Sequence, residues 1–434
     1  MGKSVQVGPI HLVDGVTKFN FWTFIYAAFI CIGMLAGMNF LQVYVITEHI
    51  QVPIAQQGAI TGELAFLTEV IAIFLIVPFG ILSDRIGRKP VIIFGILMLA
   101  IGYALFPFAN TIPELMVYRL IFSVGAAALS ALIVIVGNDY TQDVSRGRLF
   151  GFSGVANGLG VIFMSVIVAG IPSVLIGQGF DAITAGKVMF LTAAVLCLIS
   201  GGIFALGLKA GTPAAVTTRP PFLELMTSGL RAAKNPRIAL SYGAAFAGRS
   251  DNAIKGLFIS LWAIQVAQLA GTPSADALAG AGRLMGLMGA VIMIWMPLFG
   301  YILDRINRVT GMAFAMGLAG VGYTSMFFVD DPLATSSIPF FILLGLGQGS
   351  AIIASVTLVG QEAKVKERGT VIATSGLFGA VGILVTALVG GRLFDAVSPS
   401  APFVLVGLFQ LILFVFAVLV RIFAGARTDE VIAA

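Results

Sequence analysis

Long apolar segments separated by short polar connections repeat along the whole chain. Runs of about 18 or more apolar residues are typical of helices that cross a membrane. Twelve such segments are predicted, at 20–43, 54–82, 91–109, 113–137, 150–173, 184–207, 238–270, 277–302, 310–329, 336–360, 370–391 and 402–424. The pattern therefore predicts an all-α integral membrane protein with twelve transmembrane helices.

The connection at 208–237 is the one long polar interruption in this pattern. It contains the pair Pro220-Pro221 and five Lys or Arg residues. We interpret it as a cytoplasmic linker between an N-terminal six-helix bundle (1–207) and a C-terminal six-helix bundle (238–434). The first apolar run is too long for a signal-peptide core and no small-residue cleavage pattern follows it, so we expect this span to be retained.

Composition excludes a soluble protein and several kinds of enzyme site. The 434 residues are 59% hydrophobic and 10% charged, whereas soluble domains contain roughly 25% charged residues. Cys31 and Cys197 lie inside apolar runs and form no CxxC motif. His11 and His49 fall outside the predicted spans, and no GxxxxGK[ST] phosphate loop occurs. We therefore expect a protein that is not an enzyme, has no cofactor or metal, and draws its energy from an ion gradient.

The net charge of +5 indicates topology and not a nucleic-acid partner. If both termini are cytoplasmic, nineteen of the 25 Lys and Arg residues fall in cytoplasmic segments and only Lys187 and Arg392 fall in outer loops. Cytoplasmic loops of membrane proteins carry this excess of positive charge. We therefore predict a multi-pass protein of the plasma (inner) membrane with both termini in the cytoplasm.

Two short sequence echoes relate the two halves of the chain. The spacing of Gly80 and Asp84 recurs at Gly300 and Asp304, an offset of 220 residues. The sequence VGND, which ends at Asp139, recurs as VGQE, with an offset of 223 residues. Two independent echoes at nearly one offset indicate two parallel structural repeats.

The stretch GILSDRIGRKP at 80–90 resembles the G-x-L-x-D-R-x-G-R-[RK] signature that follows the second span in the major facilitator superfamily. Arg119, followed by Gly125, is similar to a looser motif of that family's fourth span. The resemblance covers essentially the whole chain. It implies two six-helix bundles that rock about a central site. The fifth span lacks the Gly-Pro pair of the family's drug/proton antiporters, which weakens the interpretation of this chain as a multidrug antiporter.

Charged residues at the cytoplasmic ends of the spans are the first candidate group. Asp84 can face the positive N-terminus of another helix, and Arg85 or Arg88 can pair with Asp139. In the second half, Asp304, Arg305 and Arg308 can pair with Glu362. By resemblance these residues form a cytoplasmic gate that holds the outward-facing state; the alternative is that they only fix topology. The candidate gate comprises Gly80, Asp84, Arg85, Gly87, Arg88, Asp139, Asp304, Arg305, Arg308 and Glu362.

Charged residues inside the predicted spans are the second group, because a charge there is costly unless it is paired or in a water-filled cavity. Arg249 lies roughly 18 Å along its span, near the midplane, and a guanidinium binds carboxylate or phosphate with two hydrogen bonds. The predicted substrate-binding residues are Arg249, Arg119, Arg283, Asn39, Gln42, Asn252, Lys255 and Gln348. The predicted proton carriers are Glu69, Asp251 and Glu63.

Structural pairs are the alternative for these residues. The spacing allows Asp251 to pair with Lys255, and Arg249–Glu69, Glu63–Arg119 and Glu63–Arg283 pairs are also open. The uncharged candidates, together with Asn157, Gln265 and Gln268, could instead form hydrogen bonds between helices.

The sequence thus favours a secondary active transporter that moves a small organic anion or amphipathic metabolite by alternating access. We expect proton coupling, with sodium left open, and a monomer surrounded by lipid. One alternative is a proton-driven exporter of drugs or lipid-like molecules. The other is a membrane sensor that does not transport.

Overall fold

The computed structural model describes residues 5–211, 229–362 and 368–423. Within these ranges, twelve helical segments are long and apolar enough to cross a membrane. The predicted all-α membrane fold is therefore confirmed. Most of the predicted linker, including Arg219, and the basic residues Lys364, Lys366 and Arg427 lie outside the described residues.

The helices follow the apolar segments closely. In chain order they are α1 (Lys18–Tyr44), α2 (Ile54–Ile86), α3 (Arg88–Leu105), α4 (Ile112–Tyr140), α5 (Arg146–Ile162), α6 (Ile171–Gly177), α7 (Ala182–Gly207), α8 (Pro236–Ala270), α9 (Ser274–Leu303), α10 (Arg308–Thr324), α11 (Ile338–Glu362), α12 (Arg368–Ala396) and α13 (Ala401–Phe423). Two π-helical stretches, Val45–His49 and Phe163–Val168, continue α1 and α5.

Several helices extend further than the hydropathy pattern indicates, and two of these extensions include candidate residues. The first span continues to His49, so this histidine lies in its last turn and not outside it, which corrects the sequence interpretation. Helix α2 continues to Ile86, so Asp84 and Arg85 belong to its final turn. Hydropathy marks the membrane-crossing part of a helix, whereas backbone hydrogen bonding continues into polar residues.

A single glycine separates α2 from α3. Gly87 has φ 97° and ψ 159°, a backbone conformation that residues with a Cβ atom rarely adopt. A Cβ atom at this position would lie 2.8 Å from the carbonyl oxygen of Gly211. Gly87 therefore allows the sharp turn and the close approach of a second backbone segment.

A short hairpin precedes α1 and was not predicted. Strands β1 (Gln6–Val7) and β2 (Ile10–His11) pair antiparallel, and the hairpin packs on the turn between α4 and α5. The backbone N–H of His11 donates to the Ser145 hydroxyl at 2.9 Å, and Gln142 donates to the carbonyl oxygens of His11 and Leu12. Leu12 is completely buried.

Contacts between residues divide the chain into two compact units. The first comprises Met1–Thr217 and Gly256–Gly286, and the second comprises Thr218–Lys255 and Leu287–Ala434. Helices α8 and α9 contribute residues to both units. The boundaries of the two six-helix bundles stay a prediction. In the first unit α3 packs on α4 and α1 on α5; in the second, α10 packs on both α11 and α13.

Candidate functional site

The candidate gate residues of the first unit cluster around one arginine. Arg88 bonds Asp84 at 2.5 Å through Nη1 and Asp139 at 3.0 Å through Nε. Its Nη1 also donates to the Ser83 hydroxyl at 2.6 Å. Of the two arginines considered, Arg88 is thus the partner of Asp139, while Arg85 is exposed. These bonds tie the end of α2 and the start of α3 to the end of α4.

The second unit does not repeat this arrangement. Arg308 bonds Asp304 at 2.7 Å, one turn away. Glu362, however, is bound by Arg237 at 3.2 Å and by the Asn235 amide at 3.4 Å. The predicted pairing of Glu362 with the Asp304 segment is therefore wrong for the described residues. The reason is that α8 begins at Pro236, so its first turn reaches the end of α11.

Arg305 takes a local partner in place of Glu362. Its guanidinium stacks over the Tyr301 ring, 4.0 Å from the centroid, and Nη2 contacts the Tyr301 hydroxyl. Gly80 lies inside α2, where a Cβ would meet nothing within 4 Å, so no contact requires a glycine there.

Arg119 is the most enclosed arginine of the candidate group, with 1% of its surface exposed. Nε donates to the Thr68 hydroxyl at 2.7 Å, Nη2 contacts Asn39 Oδ1, and the guanidinium lies 5.0 Å from the Phe122 ring centroid. Its Nη1 is buried and has no hydrogen-bond partner in the described residues. All these partners are uncharged, so the possible Glu63–Arg119 pair is not formed.

Further unsatisfied polar groups lie on the helices that surround Arg119. Both amide atoms of Gln42, three residues beyond Asn39 on α1, are buried and have no partner in the described structure. The same holds for the hydroxyl of Thr61, which is seven residues from Thr68 on α2. Spacings of three and seven place each pair on one face of its helix. Buried polar groups are normally satisfied, so a ligand or water is expected here.

Arg249 and Arg283 are exposed, unlike Arg119. Arg249 Nη1 reaches the Gly376 carbonyl oxygen at 3.5 Å, and its side chain lies against Gly379. Arg283 donates to the carbonyl oxygen of Ala279 at 3.4 Å. No ion pair joins either arginine to a carboxylate in the described part of the chain, which excludes the Glu63–Arg283 pair there.

Asp251 and Lys255 lie one turn apart on α8, but they take different partners. Asp251 is completely buried and accepts two hydrogen bonds from the Gln410 amide, at 2.9 and 2.7 Å. Lys255 Nζ donates to Gln348 Oε1 at 2.8 Å. The Asp251–Lys255 pair that the spacing allows is therefore not formed among the described residues; three hydrogen bonds to two amides, Gln410 on α13 and Gln348 on α11, take its place.

The remaining acidic candidates lie on α2. Glu63 and Glu69 are half-buried, and Glu69 directly follows Thr68. The side chain of Asn252, a predicted substrate contact, lies outside the described structure. Among the described residues, no group of three or more His, Cys, Asp and Glu side chains is placed to hold a metal ion.

Two of the uncharged polar candidates form hydrogen bonds between helices. The Asn157 amide is placed to donate to the Ala28 carbonyl oxygen at 2.9 Å, across α5 and α1. Gln265 donates to Gln57 Oε1 at 3.0 Å, across α8 and α2. These contacts support the interpretation of such residues as hydrogen-bonding links between helices.

Several residues of these clusters were missed in the sequence. Thr68 and Phe122 carry no distinguishing signal, because their contact with Arg119 depends on how α2 and α4 rotate. Gln410 did carry a signal, since it is the one polar side chain from Ala401 to Val420. A lone amide in so apolar a span is costly to bury without a hydrogen-bonding partner, and so indicates one.

Comparison with known proteins identifies a family. The family model described as Major Facilitator Superfamily matches residues 23–341 and 297–431. The chain is 30% identical to magnetosome protein MamH of Paramagnetospirillum magneticum over 396 residues, which is 89% of each chain. It is 25% identical to magnetosome protein MamZ of Magnetospirillum gryphiswaldense over 422 residues, or 93% of this chain and 63% of MamZ.

A solved structure has the same fold, and a further relative matches a short part of the chain. The crystal structure of the nucleoside transporter NupG superposes with a TM-score of 0.71 at 14% identity, covering 93% of this chain and 98% of that chain. A shorter match is 37% identical over 83 residues to the class H tetracycline resistance protein of Pasteurella multocida, covering 19% of this chain and 20% of that protein.

Proposed function

The chain belongs to the major facilitator superfamily, and from this premise we propose that it is a proton-coupled secondary transporter of a small organic anion or amphipathic metabolite, working by alternating access. The family and the structural neighbours indicate a transporter and not an enzyme. The choice of an anion rests on Arg119.

A buried guanidinium without a carboxylate is the observation that carries the proposal. Arg119 is enclosed by the hydroxyl of Thr68, the amide of Asn39 and the Phe122 ring, none of which carries a negative charge. A cation in such a place is costly unless an anion joins it. A bound carboxylate or phosphate would accept a hydrogen bond from the unused Nη1 and balance the charge. Gln42 offers a further amide donor nearby along α1.

Proton coupling is the second part of the proposal. Glu69 and Glu63 share α2 with Thr68, and Asp251 is completely buried in α8. A completely buried carboxyl group such as that of Asp251 can exist as a neutral acid as well as an anion, which lets it carry a proton. We propose these three residues as the proton carriers, and sodium coupling is the competing outcome.

A ligand screen by thermal shift tests the anion site. Purified wild-type protein is heated with carboxylates, phosphates, organic cations or lipids. The Arg119→Gln variant is then heated with the same ligands. Ligand at 100 times its Kd stabilises by about 2.7 kcal/mol. We expect a carboxylate or phosphate to stabilise the wild type and to lose this effect in Arg119→Gln.

Arg421→Gln is the matched control for this screen. Arg421 is an exposed arginine at the end of α13 that bonds the Thr310 hydroxyl. Its substitution removes one positive charge without touching Arg119, so the anion effect should persist. Stabilisation retained in Arg119→Gln, or seen with cations or lipids alone, would contradict the proposed anion site.

Uptake into proteoliposomes tests transport and coupling together. The anion found in the screen should accumulate when a pH gradient is imposed, and Glu69→Gln should remove the pH dependence if Glu69 carries the proton. Accumulation driven by a sodium gradient alone would replace the proton in this scheme. Binding without movement under either gradient would identify a sensor on this fold.

Drug export is the second candidate function. It is supported by the short matches to proteins named for resistance and efflux, including the tetracycline resistance protein. The 34 Phe and 15 Met residues also suit an apolar substrate. In the same screen this function predicts stabilisation by amphipathic cations or lipids that does not depend on Arg119.

Location is a further part of the proposal. The relatives matched over about nine tenths of this chain are named magnetosome proteins, which supports placing this transporter in the magnetosome membrane. That it is a monomer surrounded by lipid stays a prediction from the sequence. A tagged copy expressed in Paramagnetospirillum magneticum should co-purify with magnetosomes. Recovery in the inner-membrane fraction alone would instead support the predicted plasma-membrane location. Reporter fusions at each terminus test the predicted cytoplasmic side.

A further inference from the structure

A carboxyl group and a primary amide meet in the middle of two helices of the second unit. Asp251 is the sixteenth of the 35 residues of α8, and Gln410 is the tenth of the 23 residues of α13. Both side chains are completely buried. The Gln410 Nε2 donates to Oδ1 and Oδ2 of Asp251 at 2.9 and 2.7 Å, which joins α13 to α8 at this point.

The amide uses half of its hydrogen-bonding capacity in this arrangement. Gln410 Oε1 is buried and has no partner among the described residues. An ionised carboxylate only accepts hydrogen bonds, so it can use the N–H groups of the amide but not the carbonyl oxygen. A neutral carboxylic acid has one O–H donor and one carbonyl acceptor, which match the acceptor and the donor of an amide. The unsatisfied Oε1 is therefore the group that a proton on Asp251 would satisfy.

We propose that Asp251 and Gln410 form a proton-binding pair in which the Gln410 amide turns with the protonation state. In the ionised state both Asp251 oxygens accept from Nε2, as in the structure. When a proton from water bonds to one oxygen, the amide turns so that Oε1 accepts the new O–H while Nε2 donates to the other oxygen. Release breaks the O–H bond and returns the proton to water, with no change of oxidation state.

The charged and titratable neighbours fit this role. Lys255 is one turn from Asp251 on α8, and its Nζ bonds Gln348 of α11. Tyr323 of α10 lies within electrostatic range of Asp251, and its buried hydroxyl has no hydrogen-bond partner in the described structure. With Lys255 charged, the cluster is neutral when Asp251 is ionised and gains one positive charge when it is protonated. Arg249, two residues away, is exposed and bonds Gly376.

An uncharged partner is what a reversible proton site requires. A direct ion pair with Lys255 would favour one state strongly, since breaking a buried pair is costly. Gln410 is neutral in both states and offers a complementary hydrogen bond to each. Complete burial leaves room for a proton but not for a substrate. The use of this proton in transport rests on the proposed function, whereas its binding does not.

Infrared spectroscopy of purified protein tests the pair directly. The protein is labelled with carbon-13 at the aspartate side-chain carboxyl, and the C=O stretch of a neutral acid is followed as pH is lowered. We expect a labelled acid band that is absent in Asp251→Asn and present in the control Ser250→Ala. Ser250 is the buried neighbour of Asp251, and its hydroxyl bonds the Phe246 carbonyl oxygen.

Two substitutions of Gln410 test the amide. In Gln410→Leu the acid loses its partner, so the band should move in frequency. In the nearly isosteric Gln410→Glu, two adjacent carboxyls cannot both ionise readily, so an acid band should persist at a pH where the wild type has lost it. A band that survives in Asp251→Asn, that never appears while the protein stays folded, or that is unmoved by both Gln410 variants would overturn the proposal. Failure of the Arg119 ligand screen would leave this band unaffected, so the two proposals fail separately.

Discussion

Replacing Gly87 with Ala tests how the GILSDRIGRKP stretch is built. Gly87 turns the chain between α2 and α3 at φ 97° and ψ 159°. Residues other than glycine held in such sparsely populated backbone regions cost about 1–3 kcal/mol. A Cβ would also lie 2.8 Å from the Gly211 carbonyl oxygen, which must then move. We therefore expect Gly87→Ala to lower the free energy of unfolding by about 1–3 kcal/mol, out of a typical total of about 5–15.

Gly80→Ala is the matched control, because it makes the same chemical change in the same stretch. Gly80 lies inside α2, and its Cβ would meet nothing within 4 Å. Alanine is preferred to glycine within a helix by roughly 0.5–1 kcal/mol. Gly80→Ala should therefore leave the stability unchanged or raise it.

The two buried cysteines supply the assay. Cys31 and Cys197 are completely buried, so a thiol-reactive fluorophore labels them when the helices separate on heating. Gly87→Ala should label at a lower temperature than the wild type, and Gly80→Ala should not. Equal midpoints for the two variants, or a higher midpoint for Gly87→Ala, would refute the proposed requirement for a positive φ.

Three further substitutions separate buried from exposed features. Glu362→Gln should lower the free energy of unfolding by about 3–5 kcal/mol, because it removes one partner of a buried ion pair and the Glu362 side chain is 6% exposed. Asp304→Asn should lower it by at most about 1 kcal/mol, because the Asp304 side chain is 72% exposed. The midpoint temperatures of thiol labelling compare the two variants. Leu12→Ala should detach the N-terminal hairpin, because it empties a fully buried position, and faster hydrogen exchange at 5–16 would report this. Gly379→Ala puts a methyl group against Arg249 Cδ, yet the anion's thermal shift should persist, because that arginine is not the assigned site.

The twelve spans could be predicted because each is marked by a long apolar run. The hairpin at 6–11 could not, since its strands are two residues long and no local pattern marks them. Its stability comes from side chains that are distant in sequence, such as Ser145 and Gln142, and from burial of Leu12. Such contacts become visible only once α4 and α5 are placed side by side.

The charged residues of the candidate site could be predicted from the sequence, but the residues that contact them could not. Arg119 and Asp251 were found because a charge inside an apolar run is costly. Their partners Thr68 and Gln410 lie on other helices, and which faces meet depends on helix rotation. The partner of Glu362 was predicted wrongly because the repeat suggested that both halves pair alike. Arg237 had been placed in the linker, whereas it lies in the first turn of α8.

The internal repeat distinguishes residues that occur in both halves of the chain from residues that occur in one half only. The candidate gate residues at the ends of the spans recur, since Asp84 shifted by 220 residues falls on Asp304. The charges of the two proposed sites do not recur, since Arg119 shifted by 220 falls on Pro339, and Asp251 shifted back by 220 falls on Cys31. A duplicated scaffold that needed these charges for folding would keep them in both halves. Arg119 and Asp251 each occur in one half only, as expected if Arg119 serves the proposed substrate site and Asp251 the proposed proton site.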